Sequence, residues 1–594
     1  MNDAGSEAKR DTDPYMALSV SPGAYAEPVN AALDEASRAN VIERIWNKDA
    51  TLWKSEAAPQ KIIANALGWL TVPGEMLSVV AELKSFAETV SASGFQHAMV
   101  CGMGGSSLCP EVLRQTFGRQ AGFPELLVLD STDPDTINNF KEQIDTARCL
   151  FVIASKSGTT TEPNAFHRYW YNEVGKNSDT PGDSFVTITD PGSQMADIAA
   201  REGFRRIFLN QADIGGRYSA LSYFGMVPAT LMGVDAARLL RQTQSMVAAC
   251  GTPSAVNQNP AAMLGAVMAE CARAGRDKLT IVTDQKLAAL GLWVEQLIAE
   301  STGKEGKGIV PVVGESLGEV SEYGNDRLFV SISVGPADDE TNSRLKALEA
   351  AGHPVVYRKL ADLYDLGAEF FLWEMATAFA GWRLGINPFD QPNVQESKDA
   401  TKALLEKYKQ AGKFAEQPAL ASDGQLTVYG GGDAGESSPT LSVPEALRAH
   451  CAKIKPGDYV ALLTYLEETP EVEKAVREIR TTVRKATRCA TTDGFGPRYL
   501  HSTGQLHKGG PDSGVFIEIT APDKVDFQVP EASYTFSVLK DAQALGDFQS
   551  LLKHGRRAIR VDLGDDVVTG LRTLHQLINR ILNENNRAGA SPPS

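Results

Sequence analysis

The feature that most constrains the fold of this chain is a series of short apolar runs that starts near residue 95. The runs of the first series are Ala98–Cys101, Leu126–Leu129, Leu150–Ala154, Phe185–Ile188 and Ile207–Leu209. After a helical stretch, a second series follows at Leu279–Val282, Ile309–Val313, Leu328–Val334 and Val355–Tyr357. Uniformly apolar strands that alternate with amphipathic helices are typical of parallel sheets covered by helices on both faces. The pattern therefore predicts an α/β protein.

Length and local composition divide the chain further. Its 594 residues exceed one core, because domains usually hold about 100–200 residues. Glycine, serine and proline are dense after the second series, which is typical of a linker or surface loop. Beyond it, Tyr459–Tyr465 and Val515–Ile519 are predicted strands. The predicted segments are helical over 1–90, α/β over 91–240, α/β over 241–410, a linker or long loop over 411–440, and α/β over 441–594.

Charge and composition exclude several classes of protein. Lysine and arginine number 58 and aspartate and glutamate 74, a net charge of −16, so the chain as a whole repels nucleic acid and anionic membranes. No apolar stretch approaches the about 20 residues that cross a bilayer, and Met1–Pro14 lacks the apolar run of a secretion signal. The seven cysteines contain no CxxC pair and the eight histidines are dispersed. We therefore expect free thiols, no metal site and a cytoplasmic protein.

A glycine-rich loop, Gly102–Ser107, follows the first predicted strand and precedes a helix that begins near Pro110. Glycine lets the backbone approach an anion closely, and a helix N-terminus directs N–H groups toward it. Asp130, at the end of the next strand, would suit the ribose of a dinucleotide, but Ser107 replaces the third glycine of that fingerprint. On its own, the loop predicts either an anion site or a structural turn.

A second polar loop, Ser155–Glu162 (SKSGTTTE), stands between another strand and a helix. Its hydroxyl and N–H groups can bind the terminal oxygens of a phosphate monoester, and Lys156 can supply positive charge. A helix cap alone would need only one hydroxyl. Open α/β sheets bind ligands in the crevice at the carboxyl ends of their strands. The two loops together therefore predict one phosphate rather than a dinucleotide.

These loops and three later motifs resemble the glucose-6-phosphate isomerase family. The family's glycine-rich and sugar-phosphate loops, its Gly-Gly-Arg-Tyr-Ser signature, its glutamine-to-glutamate helix and its C-terminal signature are similar to residues 103–106, 155–160, 213–219, 296–300 and 387–398. The chain is most similar to the isomerase half of bacterial bifunctional transaldolase/glucose-6-phosphate isomerases. The resemblance implies two sugar-isomerase-type α/β/α domains with parallel sheets, an N-terminal helical segment and an α/β C-terminal extension. It also implies interconversion of glucose 6-phosphate and fructose 6-phosphate, without metal or cofactor.

The resemblance assigns a role to each matching side chain. Glu300 would be the base that moves a proton between adjacent carbons through a cis-enediol, with Gln296 four residues away on the same helical face. Arg217 would stabilise the enediolate. Lys398 would assist ring opening, and Glu162 would orient another residue. The expected substrate-binding residues are Gly105, Ser106, Ser155, Lys156, Ser157 and Thr160.

The histidine that opens the sugar ring in this family is out of order here. His353 is the only histidine between Glu300 and Lys398, and it matches no motif. His501, followed by Gln505, resembles the family's histidine-x-x-x-glutamine signature, although it comes well after Lys398. A rearranged second domain that includes the C-terminal segment would explain the order. The sequence leaves open whether His501 completes the site within one chain or across a homodimer.

Two alternatives to a glucose-6-phosphate isomerase stay open. A non-catalytic regulator that binds sugar phosphates would keep residues 155–160 but would not need Glu300, Arg217 and Lys398 together. An isomerase of broader hexose-phosphate specificity would differ in contacts that the sequence does not reveal. We expect a small-molecule sugar phosphate as partner, and neither nucleic acid nor membrane. A homodimer and a functional pairing with a separate transaldolase are left open.

Overall fold

One strand and four helices precede the first sheet in the computed structural model, which describes residues 18–252, 255–431 and 441–589. They are β1 (Leu18–Ser21), α1 (Ala26–Arg38), α2 (Val41–Trp46), α3 (Ala57–Ala64) and α4 (Val72–Ala92). Apolar residues at helical spacing bury one face of α1, as an amphipathic helix requires. Within the described ranges no single helix is long and apolar enough to cross a membrane, and one bent pair, Ala57–Leu70 with Val72–Ala92, passes that test only when its parts are combined.

The first unit is a five-stranded parallel sheet with its helices. Its elements are β2 (His97–Gly102), α5 (Leu108–Phe117), β3 (Glu125–Leu129), α6 (Pro134–Gln143), β4 (Cys149–Ala154), α7 (Thr161–Gly175), β5 (Phe185–Thr189), α8 (Gln194–Arg201) and β6 (Arg206–Leu209). The strand order is β3-β2-β4-β5-β6, and every pairing is parallel. All five strands predicted for this region are present. Because β2 and β4 are neighbours, the two polar loops that follow them emerge side by side.

The second unit contains the second predicted series of strands. Its elements are α9 (Tyr223–Leu231), α10 (Ala236–Ala249), α11 (Pro260–Arg273), β7 (Lys278–Thr283), α12 (Leu290–Thr302), β8 (Val310–Val312), β9 (Arg327–Val334), α13 (Asp339–Ala350), β10 (Val355–Leu360), α14 (Leu366–Leu384) and α15 (Pro392–Ala411). The strand order is β1-β10-β9-β7-β8, and only β1 is antiparallel to its neighbour. The half-buried edge strand β1 has no long apolar run, so the sequence did not predict it. The predicted fold class, with two parallel α/β units after a helical segment, is confirmed.

The C-terminal unit has a six-stranded sheet of its own. Its elements are β11 (Ala419–Ser422), β12 (Thr427–Gly430), α16 (Val443–Cys451), β13 (Tyr459–Tyr465), α17 (Pro470–Thr487), β14 (Ala490–Phe495), α18 (Gly504–Gly509), β15 (Gly514–Thr520), α19 (Phe536–Lys553), β16 (Arg557–Asp562) and α20 (Val567–Gly589). The strand order is β11-β12-β16-β15-β13-β14. Within the described ranges none of these strands pairs with the second sheet. That this unit belongs to a rearranged second domain stays a prediction. The exact domain boundaries stay a prediction.

The segment 411–440 is not loop throughout. It contains the hairpin β11–β12, whose tip has Gly424 at φ +89° and Asp423, which accepts hydrogen bonds from the N–H groups of Gln425 and Leu426. An Asp-Gly pair between two short strands is a hairpin signal, and the high glycine content of the segment concealed it. Residues 432–440 of the predicted linker lie outside the described residues.

Ion pairs and hydrogen bonds fasten the C-terminal unit to the other two. Arg498, just after β14, forms a bidentate pair with Asp130 of the first unit at 2.9 and 3.0 Å. Arg480 of α17 donates to the carbonyl of Val313 in the second unit at 2.8 Å. Planar arginine forks of this kind fix orientation as well as distance. They hold the short 3-10 helix Arg498–His501 beside the loop after β2.

Candidate active site

Glycines in the loop after β2 let three chain segments meet. Gly104 has φ +57°, and a Cβ atom there would lie 2.8 Å from the side-chain nitrogen of Gln296 and 3.0 Å from the carbonyl oxygen of His501. A Cβ on Gly105 would lie 1.9 Å from the carbonyl oxygen of Gly216. Only a residue without a side chain permits such approaches. The loop therefore packs directly against α12, the Gly-Gly-Arg turn and the C-terminal unit.

Gln296 and Glu300 lie one turn apart on the same face of α12, as their spacing predicts. The Nε2 atom of Gln296 donates to Oε2 of Glu300 at 3.3 Å and to the carbonyl oxygen of His501 at 2.8 Å. Both side chains are almost completely buried. The carboxylate of Glu300 is thus held at the junction between the second and C-terminal units.

Arg217 places a buried positive charge on this carboxylate. Its Nη1 atom lies 3.3 Å from Oε1 of Glu300. Its Nε donates to the hydroxyl of Ser301 at 2.7 Å, and its Nη2 to the carbonyls of Pro388 and Asp390 at 2.7 and 3.1 Å. These bonds fix the guanidinium plane, and it stays protonated in proteins. We call Gln296, Glu300, Ser301 and Arg217 the base cluster.

Lys304, which follows α12, stabilises the loop that holds Arg217. Lys304 is buried and donates to the carbonyl of Asn387 at 2.8 Å and to the carboxylate of Asp390 at 2.7 Å. Burial, together with the charge of Arg217, lowers the pKa of Lys304 to about 8. The lysine thereby ties the end of α12 to the loop whose carbonyls hold Arg217. Its role in this geometry is to anchor that loop.

His501 joins the base cluster to the first unit. While its carbonyl accepts from Gln296, its ring Nε2 lies 3.0 Å from Oε1 of Glu162, in the first turn of α7. Burial by itself raises the pKa of Glu162, but the positive charges of His501 and Lys398 and the hydrogen bond from His501 outweigh it, so the pKa lies below its usual value. All of these contacts are within one chain, which is the first of the two arrangements that the sequence left open.

Two residues that the sequence did not indicate complete this arrangement. Gln543 of α19 donates its side-chain N–H to the same Oε1 of Glu162 at 2.7 Å. The hydroxyl of Thr132, just after β3, donates to the amide oxygen of Gln543 at 2.7 Å. We call Thr132, Gln543, Glu162 and His501 the histidine network. An isolated glutamine in a helix carries no motif, so only the structure reveals it.

The predicted residues of the phosphate loop differ in their exposure, and Thr160 is the one that lines the cavity described below. Ser157 is exposed, and its hydroxyl lies 3.0 Å from that of Thr159. Ser155 is buried and accepts the N–H of Gly158 at 3.2 Å, which stabilises the turn itself. From the neighbouring loop, Gly105 and Ser106 are buried at the carboxyl end of β2. The loop therefore offers hydroxyl and N–H groups, as expected.

Lys156 differs from its predicted role. Its ammonium pairs with Asp190 and donates to the carbonyl of Ala212 at 2.7 Å. The predicted positive charge of the phosphate loop is therefore already shared with a carboxylate. No sequence pattern indicated this partner, because Asp190 follows the next strand of the sheet, β5.

Lys398 lies across the crevice from this loop. It is an exposed residue of α15 and lines a cavity of about 460 Å³ together with Thr160, Glu162 and His501. The cavity connects the phosphate loop to the histidine network. Lys398 and His501 thus line the same cavity, while the base cluster contacts the backbone of the histidine.

One group of carboxylates could by spacing hold a cation. Ligand oxygens of Asp133, Asp135 and Asp523 lie within 4.8 Å of one another. The ammonium of Lys540, however, donates to Asp133 at 3.1 Å and also to Asp523. A cation is thus already supplied by the protein, and these residues form a structural ion cluster between the first and C-terminal units.

Comparison with known sequences agrees with this geometry. The family model described as phosphoglucose isomerase matches residues 62–320, which include both loops, Arg217 and the whole of α12. Over these residues the chain is similar to the phosphoglucose isomerases. A protein of Methanococcus maripaludis named probable glucose-6-phosphate isomerase is 24% identical over 383 residues, which cover 58% of this chain and 85% of that protein. The glucose-6-phosphate isomerase of Symbiobacterium thermophilum is 28% identical over 360 residues, covering 52% and 80%.

A solved structure shares the fold. The crystal structure of a glucose-6-phosphate isomerase from Chlamydia trachomatis superposes with a TM-score of 0.52 at 18% identity, covering 65% of this chain and 87% of that one. The family resemblance seen in the motifs is therefore confirmed. Lys398 and His501 lie outside the matched residues 62–320, and their roles stay predictions.

Proposed function

We propose that this chain interconverts glucose 6-phosphate and fructose 6-phosphate through a cis-enediol. The observation that carries the proposal is that Gln296, packed against Gly104, joins Glu300 to the backbone of His501, while Arg217 pairs with Glu300. A carboxylate, a fixed guanidinium and an imidazole are the groups that an aldose–ketose isomerisation needs: a base, an electrostatic stabiliser and a ring opener.

Ring opening is assigned to the histidine network and Lys398. The imidazole of His501 transfers a proton between the anomeric hydroxyl and the ring oxygen, while Glu162 fixes the orientation of its ring through the 3.0 Å contact. Lys398 contributes positive charge at the same cavity. Breaking the ring C–O bond leaves an open-chain aldehyde or ketone.

Proton transfer is assigned to the base cluster. Glu300 removes the proton from C2 of the open aldose, an enediolate forms, and the same carboxyl group returns the proton to C1 to give the ketose. Arg217 stabilises the negative oxygen of the intermediate without exchanging a proton, since its guanidinium stays charged. Gln296 keeps the carboxylate in place through its 3.3 Å hydrogen bond.

The phosphate is assigned to the loops after β2 and β4. Ser106, Ser155, Ser157 and Thr160 supply hydroxyl and N–H donors, and Lys156 acts mainly through its backbone because its ammonium is paired. Binding energy from a phosphate remote from C1 and C2 positions the reacting carbons. The proposed isomerisation uses no metal and no cofactor.

We also propose that the active unit needs no residue from a second chain, since His501 reaches Glu162 within one chain. A homodimer or a pairing with a transaldolase would then be additional to the site. A cytoplasmic location would fit a sugar-phosphate substrate. Sedimentation of the active enzyme tests whether a single chain is active. Co-purification tests the pairing with a transaldolase.

The test is the conversion of fructose 6-phosphate to glucose 6-phosphate in EDTA by the wild type and by Glu300→Gln. We expect the variant to lose activity by about 10²–10⁴-fold, the usual contribution of a general base, while it still binds substrate. Glu88→Gln is the matched control, because that side chain is 57% exposed on α4. Binding without turnover in the wild type would overturn the proposal in favour of a regulator. Turnover of mannose 6-phosphate would support the broader specificity.

A further inference from the structure

We infer that Gln543 and Thr132 are positioning residues for the His501–Glu162 pair, an inference that rests on the proposed function of this site. Both residues act on His501 indirectly. They act through Glu162, whose carboxylate they hold in one orientation.

The contacts form an unbroken chain of hydrogen bonds. The hydroxyl of Thr132 donates to the amide oxygen of Gln543 at 2.7 Å, and the amide nitrogen of Gln543 donates to Oε1 of Glu162 at 2.7 Å. That oxygen also faces Nε2 of His501 at 3.0 Å. Two donors on one carboxylate oxygen define its position more tightly than either donor alone, because the charge-assisted bonds restrict the side-chain rotation.

Thr132 has a specific task in this chain. An amide side chain can present either its oxygen or its nitrogen to a neighbour. Because Thr132 donates to the oxygen of Gln543, the nitrogen is directed at Glu162. The opposite orientation would place two acceptors against each other. Thr132 and Gln543 are 0% and 2% exposed, and an unmade hydrogen bond at a buried polar group is costly.

The network alternates between two units of the molecule. Thr132 and Glu162 belong to the first unit, whereas Gln543 and His501 belong to the C-terminal unit. Lys540, one turn before Gln543 on α19, donates to Asp133 at 3.1 Å, which fixes α19 beside Thr132. The histidine and its support therefore arrive together when the C-terminal unit is docked.

The kinetic test compares Thr132→Val, which removes the donor at constant shape, with Thr132→Ser, which keeps it. We expect Thr132→Val and Gln543→Leu to lower kcat by about 10–100-fold, the size of a hydrogen bond to a charged group, with little change in KM. Thr132→Ser restores activity to near the wild-type level. In a His501→Asn background, Gln543→Leu has no further effect, since it acts through the histidine.

A spectroscopic test does not depend on turnover. With isotope-labelled histidine, the Nε2 proton of His501 is identified by its absence in His501→Asn. We expect it to shift or broaden in Gln543→Leu and Thr132→Val and to keep its position in Thr132→Ser. If the wild type shows no turnover, the proposed function fails, but this resonance still decides whether Gln543 orders the pair. An unchanged resonance in Gln543→Leu, or additive losses in the double variant, overturns the inference.

Discussion

The base cluster and the histidine network lie on opposite sides of one histidine, yet they are encoded very differently. The base cluster comes from a short helix and a turn inside the segment that the family model matches, residues 62–320. The histidine network is assembled from the first unit and from a C-terminal unit that lies beyond this segment. Both nevertheless meet at Gly104. Residues that are far apart in the chain therefore meet at one place in the structure.

We expect the largest loss of activity from replacing Arg217, whose guanidinium is held by several hydrogen bonds. Arg217→Lys should lower kcat/KM by about 10³-fold, because a lysine cannot replace a fixed guanidinium that stabilises developing charge. It would also leave the carbonyls of Pro388 and Asp390 without donors. Steady-state kinetics with fructose 6-phosphate measure it. Arg477→Lys, at a side chain 60% exposed, is the control, and a loss below tenfold would contradict the assignment.

The next prediction separates the two regions by reaction step. His501→Asn should slow the isomerisation of hexose phosphates by about 100-fold, because the variant cannot catalyse opening of the sugar ring. A four-carbon aldose phosphate cannot close a ring, so its isomerisation should be nearly unaffected by that variant. Glu300→Gln should slow both reactions, because both need the base. Equal losses on both substrates in His501→Asn would show that the histidine also serves proton transfer.

A third prediction concerns the surface along which the two regions meet. Glu295 of α12 is buried next to Asp493 of β14, and burial followed by that negative charge raises its pKa to about 8 from 4.5. The folded state thus holds a proton that the unfolded chain releases, so stability falls as the pH rises from 4.5 to 8. Glu295→Gln should remove this slope and gain up to about 4 kcal/mol at pH 8 relative to wild type.

Urea unfolding from pH 5 to 8 measures this slope. Glu478→Gln, at an exposed glutamate of α17, is the control and should leave the slope unchanged. If Glu295→Gln and the wild type show the same dependence of stability on pH, Glu295 is ionised in the folded protein and the prediction is wrong.

The smallest effect is expected at the phosphate loop. Lys156→Met should raise KM for fructose 6-phosphate by less than about threefold, because its ammonium is engaged by Asp190 and such partly exposed pairs contribute little. Ser157→Ala should raise KM by about tenfold, the worth of a hydrogen bond to a charged oxygen. Substrate titration of the initial rate compares them. A larger effect for Lys156→Met would restore the role predicted from the sequence.

The sequence predicted the fold in those parts where periodicity is strong. The buried strands of the first and second units follow from uniformly apolar runs, whereas β1 and the hairpin β11–β12 are short, half-buried edges without such runs. Edge strands are specified by their neighbours rather than by their own pattern. The independent C-terminal sheet could not be predicted, because strand pairing is a long-range property.

The candidate site follows the same division. Glu300, Gln296 and Arg217 belong to compact motifs, so their proximity could be expected from spacing and resemblance. The hydrogen bonds of Gln543 to Glu162 and of Lys156 to Ala212 join residues far apart in the chain. No local pattern encodes such contacts, since they depend on how the units pack.

Gln296 holds residue 501 by its backbone carbonyl, not by its side chain. This hydrogen bond does not involve the side chain at position 501. Replacing the histidine would therefore remove the contact of its ring with Glu162 but leave the backbone bond to α12 available. The backbone contact and the proposed chemistry of residue 501 can thus be altered separately.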